Sequence, residues 1–381
     1  MALTKVSSKT LSDNAVTSDK IAAGAISVSD MADNSITAAK LHTSVQGALG
    51  TRNLIINGDM RIAQRGTSSI YQYANGYYTA DRWKMSVDNN FYSEFNINVV
   101  TDTPTGQGFT NALKYSIGYN GGNGGGANLK IQQRIEGQML QHLKKGTSNA
   151  ETVTLSFWAK SNKTGIYIAE LIDNDNTRSI SKSYTINAAD TWEKKTITFA
   201  GDTNGVFDND NGASLDVNLF LIAASAYTSG TLQTSWGTLT DANRAVGQVD
   251  FLDNNSNYYT VTGVQLEVSD TATPFEHRPY DMELARCQRY CWVASDLLLG
   301  TTRNATDLAK ETMYHPVPMR ATPTIASASF AVNNGSSGTV GIAGGRFVGS
   351  QGTLAVAVWN TVNNWTTGVW VAISGVISAE L

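Results

Sequence analysis

Four consecutive ten-residue units near the N-terminus constrain this chain more than any other feature. They open at Val6, Val16, Ile26 and Ile36, and each opening residue is followed by Ser or Thr (Ser7, Thr17, Ser27, Thr37). Five residues on stands a second apolar residue, Leu11, Ile21, Met31 or Leu41, and each unit ends near a turn former, Asn14, Gly24, Asn34 or Ser44. A continuous helix turns ~100° per residue, so residues five apart fall on different faces. A continuous strand places them on opposite faces, because five is odd. A broken unit buries both: Ser or Thr caps one helical turn, and Gly or Asn ends it in a left-handed conformation. So few apolar residues make no core within one chain. Parallel copies around an axis bring them together in layers, and residues 1–50 therefore read as a thin homo-oligomeric stalk or attachment segment. The competing reading is a disordered polar tail, which seldom keeps a strict apolar period.

The 381 residues suffice for two or three domains. Only 16% are charged, against roughly 25% in ordinary soluble domains. Gly, Ser, Thr and Asn take their place, which favours strands and turns over long surface helices. The net charge is −4 without a basic cluster, so nucleic acid is a poor partner. Two cysteines, Cys287 and Cys291, exclude a disulfide-dense scaffold. The first 25 residues lack the apolar core of a signal peptide, and Val217 to Ala226 is too short to span a bilayer. The expectation is a protein made in a cytoplasm without a signal peptide, not inserted in a membrane, and carried outward by something else, such as a virus particle released by lysis.

Residues 51–280 read as an antiparallel β-sandwich. Leu54-Ile55-Ile56 leads into the turn pair Asn57-Gly58, and Val153, Leu155 and Phe157 alternate with polar residues. Further strand runs are Lys195 to Phe199, Val217 to Ile222 and Tyr258 to Glu267, separated by loops such as GGNGGGA at Gly121 to Ala127. Residues 281–299 read as a helical linker: Asp281 is placed to cap a helix over 281–292 on which Leu284, Cys287 and Cys291 recur. Residues 300–381 return to strands, at Thr322 to Ala331, Thr353 to Trp359 and Val369 to Ile377, and read as a C-terminal β-sandwich head.

Several segments, in order, resemble bacteriophage tail-fibre proteins. The decapeptides are similar to repeats near the N-termini of such fibres. NLIINGDMRIAQRGTS (Asn53 to Ser68) with ADRW (Ala80 to Trp83), then VTLSFWAKS (Val153 to Ser161), then GVQLEVSDTATPFEHRPYDMELARCQRYC (Gly263 to Cys291), resemble the opening, middle and end of their shared β-sandwich. HPVPMRATPTI (His315 to Ile325) and the closing ISAEL resemble the head that follows. The resemblance implies a galactose-binding-like jelly roll similar to carbohydrate-binding modules, a parallel homotrimer, and a fibre with one end on the virion tail and the other at the host. It carries over no receptor-contact residue.

Glu267, Glu276 and Asp81 are candidate glycosidase carboxylates, but no motif pairs them, and the four histidines (His42, His142, His277, His315) are scattered. Cys287 and Cys291 lack a second ligand pair and read as buried thiols near a trimer axis. Asp208 and Asp210, with Asn209 and Asn211, carry oxygen suited to structural calcium, but the spacing does not fit an EF-hand loop and a solvated turn explains them better. Aromatic rings stack on sugar faces. Trp83, Trp158 and Trp192 read as core, as do Trp359 and Trp370, whereas Trp365 with Asn363 and Asn364 lies in a polar loop and is the nominated receptor contact.

The sequence thus leads to an all-β, non-enzymatic adhesin without a required cofactor. Its expected partners are itself, virion tail proteins at the N-terminal segment, and a host surface glycan or outer-membrane receptor. Weak sites would gain from trimeric repetition. A structural tail adaptor and a polysaccharide depolymerase are the alternatives.

Overall fold

The computed structural model describes residues 52–301 apart from 89, 90 and 123, and then 309–314, 316–321, 323–333, 345–347, 353–358 and 370–381. The stalk residues Val6, Leu11, Val16, Ile21, Ile26, Met31, Ile36 and Leu41 lie outside this set, as do Asn363, Asn364 and Trp365.

Alternation of apolar and polar residues builds the strands. In chain order they are β1 (Ser68–Gln72), β2 (Gly76–Tyr77), β3 (Lys84–Val87), β4 (Glu94–Val100), β5 (Ala112–Tyr119), β6 (Asn128–Glu136), β7 (Val153–Ser161), β8 (Gly165–Asp173), β9 (Arg178–Ile186), β10 (Glu193–Phe199), β11 (Ala213–Ala223), β12 (Gly237–Thr238) and β13 (Tyr258–Val268). They form two sheets. Sheet I has the order β1-β4-β5-β13-β7-β10, and sheet II the order β12-β9-β8-β11-β6-β3-β2. Every pairing in them is antiparallel. The chain crosses repeatedly between the sheets, β7 to β8, β9 to β10, β10 to β11 and β12 to β13, which is the wrapping of a jelly roll.

The inward positions make one core. Val153, Leu155, Phe157 and Ala159 of β7 meet Tyr167, Ala169 and Leu171 of β8 there. Tyr184 stands edge-on to Phe157 at 5.1 Å. Its hydroxyl pairs with that of Tyr259 at 2.8 Å, so both buried phenols keep a hydrogen bond. Full burial of one such ring contributes roughly 1.5–3 kcal/mol.

The strand expected at Leu54-Ile55-Ile56 does not form. Side chains take the place of a ladder along this segment. Gln133 accepts from the Ile56 N–H at 2.8 Å and donates to its carbonyl at 2.9 Å. Arg278 donates to the carbonyls of Ile55 (3.0 Å) and Asn53, and Glu283 accepts from the Asn57 N–H. Asn57 takes φ 58°, and the Trp83 indole donates to its carbonyl at 2.8 Å. Gly58 follows because a Cβ there would stand 2.1 Å from the Val264 carbonyl oxygen.

A short helix, α1 (Ser225–Thr228), lies beyond β11, and α2 (Tyr280–Gln288) follows β13. Helix α2 is shorter than the sequence suggests. Its N-cap is Pro279 rather than Asp281, with no side-chain cap, and Cys291 opens the next strand. That strand, β14 (Cys291–Thr301), is followed by β15 (Ala309–Tyr314), β16 (Thr324–Asn333), β17 (Gly345–Phe347), β18 (Thr353–Val358) and β19 (Trp370–Ser378). They form two three-stranded antiparallel sheets, β14-β19-β16 and β15-β18-β17.

Charged side chains tie the end of β19 to the jelly roll. Glu380 accepts from Arg65 (3.0 Å) and from the fully buried Arg82 (2.5 Å). Arg320 donates to the carbonyls of Asn211 (2.7 Å) and Ala379 (2.8 Å), and Tyr77 to that of Leu381 (2.8 Å). No helix among the described residues is long and apolar enough to cross a membrane.

Candidate functional site

The residues singled out for chemistry fall mostly into framework roles. Glu267 accepts from Gln265 (2.8 Å), the Thr273 N–H (2.9 Å) and the Thr273 hydroxyl (2.6 Å). Glu276 accepts from the N–H groups of Arg52 (3.0 Å) and Asn53 (2.8 Å). Asp81 is buried, which pushes its carboxyl up to about 6 against the opposing pull of Arg65. It faces Gln64 and Arg65 inside the junction with the last strand. Cys287 and Cys291 are both free and buried, and Cys287 packs against Ile56, Ile62 and Tyr290 of its own chain. Burial raises both thiols, Cys291 to about 12, so neither is a ready thiolate. At Asp208 to Gly212 the side chain of Asn211 donates to the Arg320 carbonyl, and Asp210 accepts from the Gly212 N–H at 2.7 Å. Among the described residues no group of three or more His, Cys, Asp or Glu is placed to hold a metal ion.

Two of the tryptophans differ from expectation. Trp83 is core, at 2% exposure, but Trp158 and Trp192 are only partly buried. The reason is parity. Val153, Leu155, Phe157 and Ala159 point inward along β7, so Trp158 must point outward. The alternation in VTLSFWAKS carries that signal.

The outer face of sheet I carries the candidate site. Its rows follow from strand register. Asn96, Ser116 and Tyr258 form one row, and Asn98, Lys114, Thr260 and Lys160 the next. Thr262, Trp158 and Lys194 form the third. Small buried residues make the floor: Thr154, Ser156, Thr260 and Thr262. Rings and long side chains stand partly exposed above it. The Lys114 ammonium lies 4.3 Å from the Tyr258 ring centre, and the Tyr258 hydroxyl donates to Asp190 at 2.5 Å. Asp102 accepts from Lys160 (2.8 Å) and from the Trp192 indole (3.1 Å). The Lys160 hydrogen bond holds the Asp102 carboxyl below its ordinary value. Burial, and then Asp190, raise the Tyr258 phenol, so it stays a neutral donor. Aromatic surface beside fixed donors and acceptors suits a polyhydroxylated ligand: C–H faces meet rings, and hydroxyls meet Lys, Asp and Asn.

The outer face of sheet II is built from the same alternate positions but is closed. Gln132 donates to Asn218 (2.9 Å) and Asp216 (3.0 Å), and Asn218 donates to Glu170 (3.0 Å). Arg244 closes the row with two bonds to Glu170, at 2.7 and 3.0 Å. Beside this network Tyr227 and Ala245 pack over Ile168 and Phe220. A shallow cleft, open to solvent, has Leu143, Val153, Leu171, Phe207 and Trp236 in its lining. Lys145 also lines it, with its ammonium bound to Asp173 (2.5 Å) and Asp202 (3.1 Å) and to the carbonyls of Asn204 (2.8 Å) and Gly205 (2.9 Å).

No protein-family model matches the chain, and no curated protein matches it. Solved structures share parts of its shape. The enzymatically active domain of tailspike protein 4 from bacteriophage CBA120 aligns at 13% identity and TM-score 0.29, over 57% of this chain and 21% of that one. TmCBM61 in complex with beta-1,4-galactotriose aligns at 11% identity and TM-score 0.29, over 57% of this chain and 100% of that one. A family 11 carbohydrate-binding module from Clostridium thermocellum aligns at 10% identity and TM-score 0.28, over 54% and 98%. This chain thus spans about a fifth of the tailspike chain. The jelly-roll assignment rests on the strand order and register given above, not on these likenesses.

Proposed function

We propose that this chain is a bacteriophage tail-fibre protein that attaches the virion to a host surface glycan. In this reading residues 1–50 form the trimeric stalk and join the tail, residues 51–280 are the jelly roll, 281–299 the connection, and 300–381 the head. The observation that carries the glycan half is the part of the outer face of sheet I that stays in solvent around Trp158 and Tyr258, beside the stretch covered by residues 109–111 and 269–276. There Trp158 and Tyr258 stand partly exposed among Lys114, Lys160 and Asp102, opposite a face whose polar row is buried. The fibre half is supported by the ordered resemblance of the repeats, the NLIING and ADRW segments and the closing ISAEL. A parallel homotrimer repeats each weak site three times on one particle, and effective concentration then supplies avidity without new contacts. The carboxylates nominated for glycosidase chemistry serve the framework instead, which favours adhesion over cleavage.

The test is labelling of host and non-host cells by the fluorescent full chain, with its mass measured by light scattering. A trimer that labels host cells alone, and loses the label after enzymatic stripping of surface glycan, is the expected result. A stable monomer, or labelling unchanged by stripping, overturns the reading. Trp365→Ala belongs in the same assay. Trp365 remains the proposed tip contact, and its loss should weaken adsorption while the trimer survives; unchanged adsorption removes it from the site.

A further inference from the structure

At the far edge of sheet I from Trp158, two irregularities in neighbouring strand pairs do the same thing. Between β1 and β4 the register steps from Ser69 opposite Ile97 to Gln72 opposite Phe95, so β1 carries one extra residue. Between β4 and β5 it steps from Phe95 opposite Ile117 to Glu94 opposite Tyr119, so β5 carries one extra residue, Gly118. A bulge bends its strand and re-aims a side chain. Here each bulge turns out a tyrosine: Tyr71 is 54% exposed and Tyr119 is 59% exposed.

The two rings belong to one surface. Tyr71 has φ 55°, a left-handed conformation that a bulky residue adopts only when its surroundings impose it. Its N–H donates to the Asn96 side chain at 3.2 Å, which fixes the turn. Its ring lies against Gly118: a Cβ there would stand 3.2 Å from Tyr71 Cδ1. One side of the ring therefore rests on bare backbone while more than half of the residue stays in solvent. The residue after that glycine is Tyr119, paired with Glu94. Glu94 and Asn96, both partly exposed, supply oxygen and amide groups beside the rings.

We infer that Tyr71 and Tyr119 form a second glycan platform, which stacks the C–H face of a neutral pyranose while Glu94 and Asn96 hydrogen-bond its hydroxyls. The argument is chemical. The exposed rings at the two bulges are phenols, Tyr71 with the aliphatic Ile70 (57% exposed) beside it, and a phenol held in solvent offers a surface on which a sugar can stack. The Glu94 carboxylate disfavours an acidic sugar by like-charge repulsion. The inference rests on the glycan-binding reading above but places binding on a different patch. Four strand spacings separate β1 from β7, about 19 Å, so one sugar unit cannot touch both Tyr71 and Trp158.

The experiment titrates the full chain with β-1,4-galactotriose, cellotriose, mannotriose and, as the acidic comparison, 3′-sialyllactose. Tyr71→Ala/Tyr119→Ala should weaken the best neutral probe by about tenfold or more, as loss of a stacking hot spot does, with an unchanged melting curve. Gly118→Val is the second variant. It keeps both tyrosines but fills the space under Tyr71, and should also weaken binding. Parent and double variant binding the neutral probes equally would overturn the platform and leave the glycan reading standing. Preference for sialyllactose would overturn the ligand class. A parent that binds none of the four would overturn the platform together with the glycan reading.

Discussion

Sheets I and II offer the same kind of outer face, alternate positions on antiparallel strands, and use it in opposite ways. On sheet II the row Lys84, Gln132, Asn218, Glu170 and Ser181 runs in register across five strands. All of it except Lys84 is nearly free of solvent contact. Gln132, Asn218 and Glu170 are joined by hydrogen bonds and Arg244 arrives from the covering segment to hold Glu170, while Gln132 Oε1 and Ser181 Oγ are buried without a partner. On sheet I the corresponding rows carry rings and ammonium groups that remain partly in solvent. A closed polar network rigidifies and specifies a fold, because every donor or acceptor left over would cost a desolvation penalty. An open face with rings has surface left for a ligand. In the proposed reading, the contrast gives stability to one sheet and recognition to the other.

The largest expected effect lies on the closed face. Glu170→Ala removes the carboxylate that holds the buried Arg244 and accepts from Asn218. Stranding a buried charge costs about 3–5 kcal/mol. Urea unfolding should show that loss in full, and a change under about 1 kcal/mol would mean that the network is far looser than its distances imply.

These rows also explain what could be read in advance. β7 was legible because Val153, Leu155 and Phe157 are apolar and the residues between them are not. β6 was not, because NLKIQQRIE offers Lys130, Gln132, Arg134 and Glu136 at alternate positions, residues that look solvated one at a time. Only their neighbours across the sheet, Asp216 and Asn218 among them, make their burial tolerable, and those partners lie more than eighty positions away. By local pattern the segment NLIINGD is a strand and a turn. Its backbone is instead held by Gln133, Arg278 and Glu283, partners that local pattern cannot name. The same segments carry the family resemblance: Asn57, Trp83, Glu276, Arg278 and Glu283 stitch the frame together. The resemblance is therefore a signature of the scaffold, which is why it pointed to a fold and to no binding residue.

A titration sharpens the comparison, because Asp216 on one face and Asp102 on the other should respond to pH with opposite signs. Asp216 on sheet II has its carboxyl raised by burial, with Arg134 opposing. The folded state then holds its proton to higher pH than the unfolded chain. The stability it contributes is complete below the ordinary value of 3.8 and is lost as pH rises through the raised value. Asp102 on sheet I is lowered, first by its hydrogen bond from Lys160. Its contribution is present above 3.8 and is lost as pH falls through the lowered value. Melting temperatures of the parent, Asp216→Asn and Asp102→Asn between acid and neutral pH should show the parent's advantage over Asp216→Asn shrinking upward. Its advantage over Asp102→Asn should shrink downward. Equal slopes would mean that burial does not separate Asp216 from Asp102.

The smallest effect on stability should accompany the largest effect on binding. Trp158→Ala removes a ring that is only partly buried, above Thr262 and Lys194 in the ladder, and leaves the inward Phe157 and Ala159 untouched. No buried charge is stranded, so the loss should stay near 1 kcal/mol, within the ordinary range for a partly exposed site. If the open face binds glycan, the same change should cost about tenfold or more in affinity, as truncating an aromatic anchor does. Stability and affinity are then decoupled at Trp158 in the sense opposite to Glu170, where unfolding should dominate. A Trp158→Ala protein that binds like the parent but melts several degrees lower would make Trp158 a second framework residue. Recognition would then have to be sought at Tyr71 and Tyr119 or in the head.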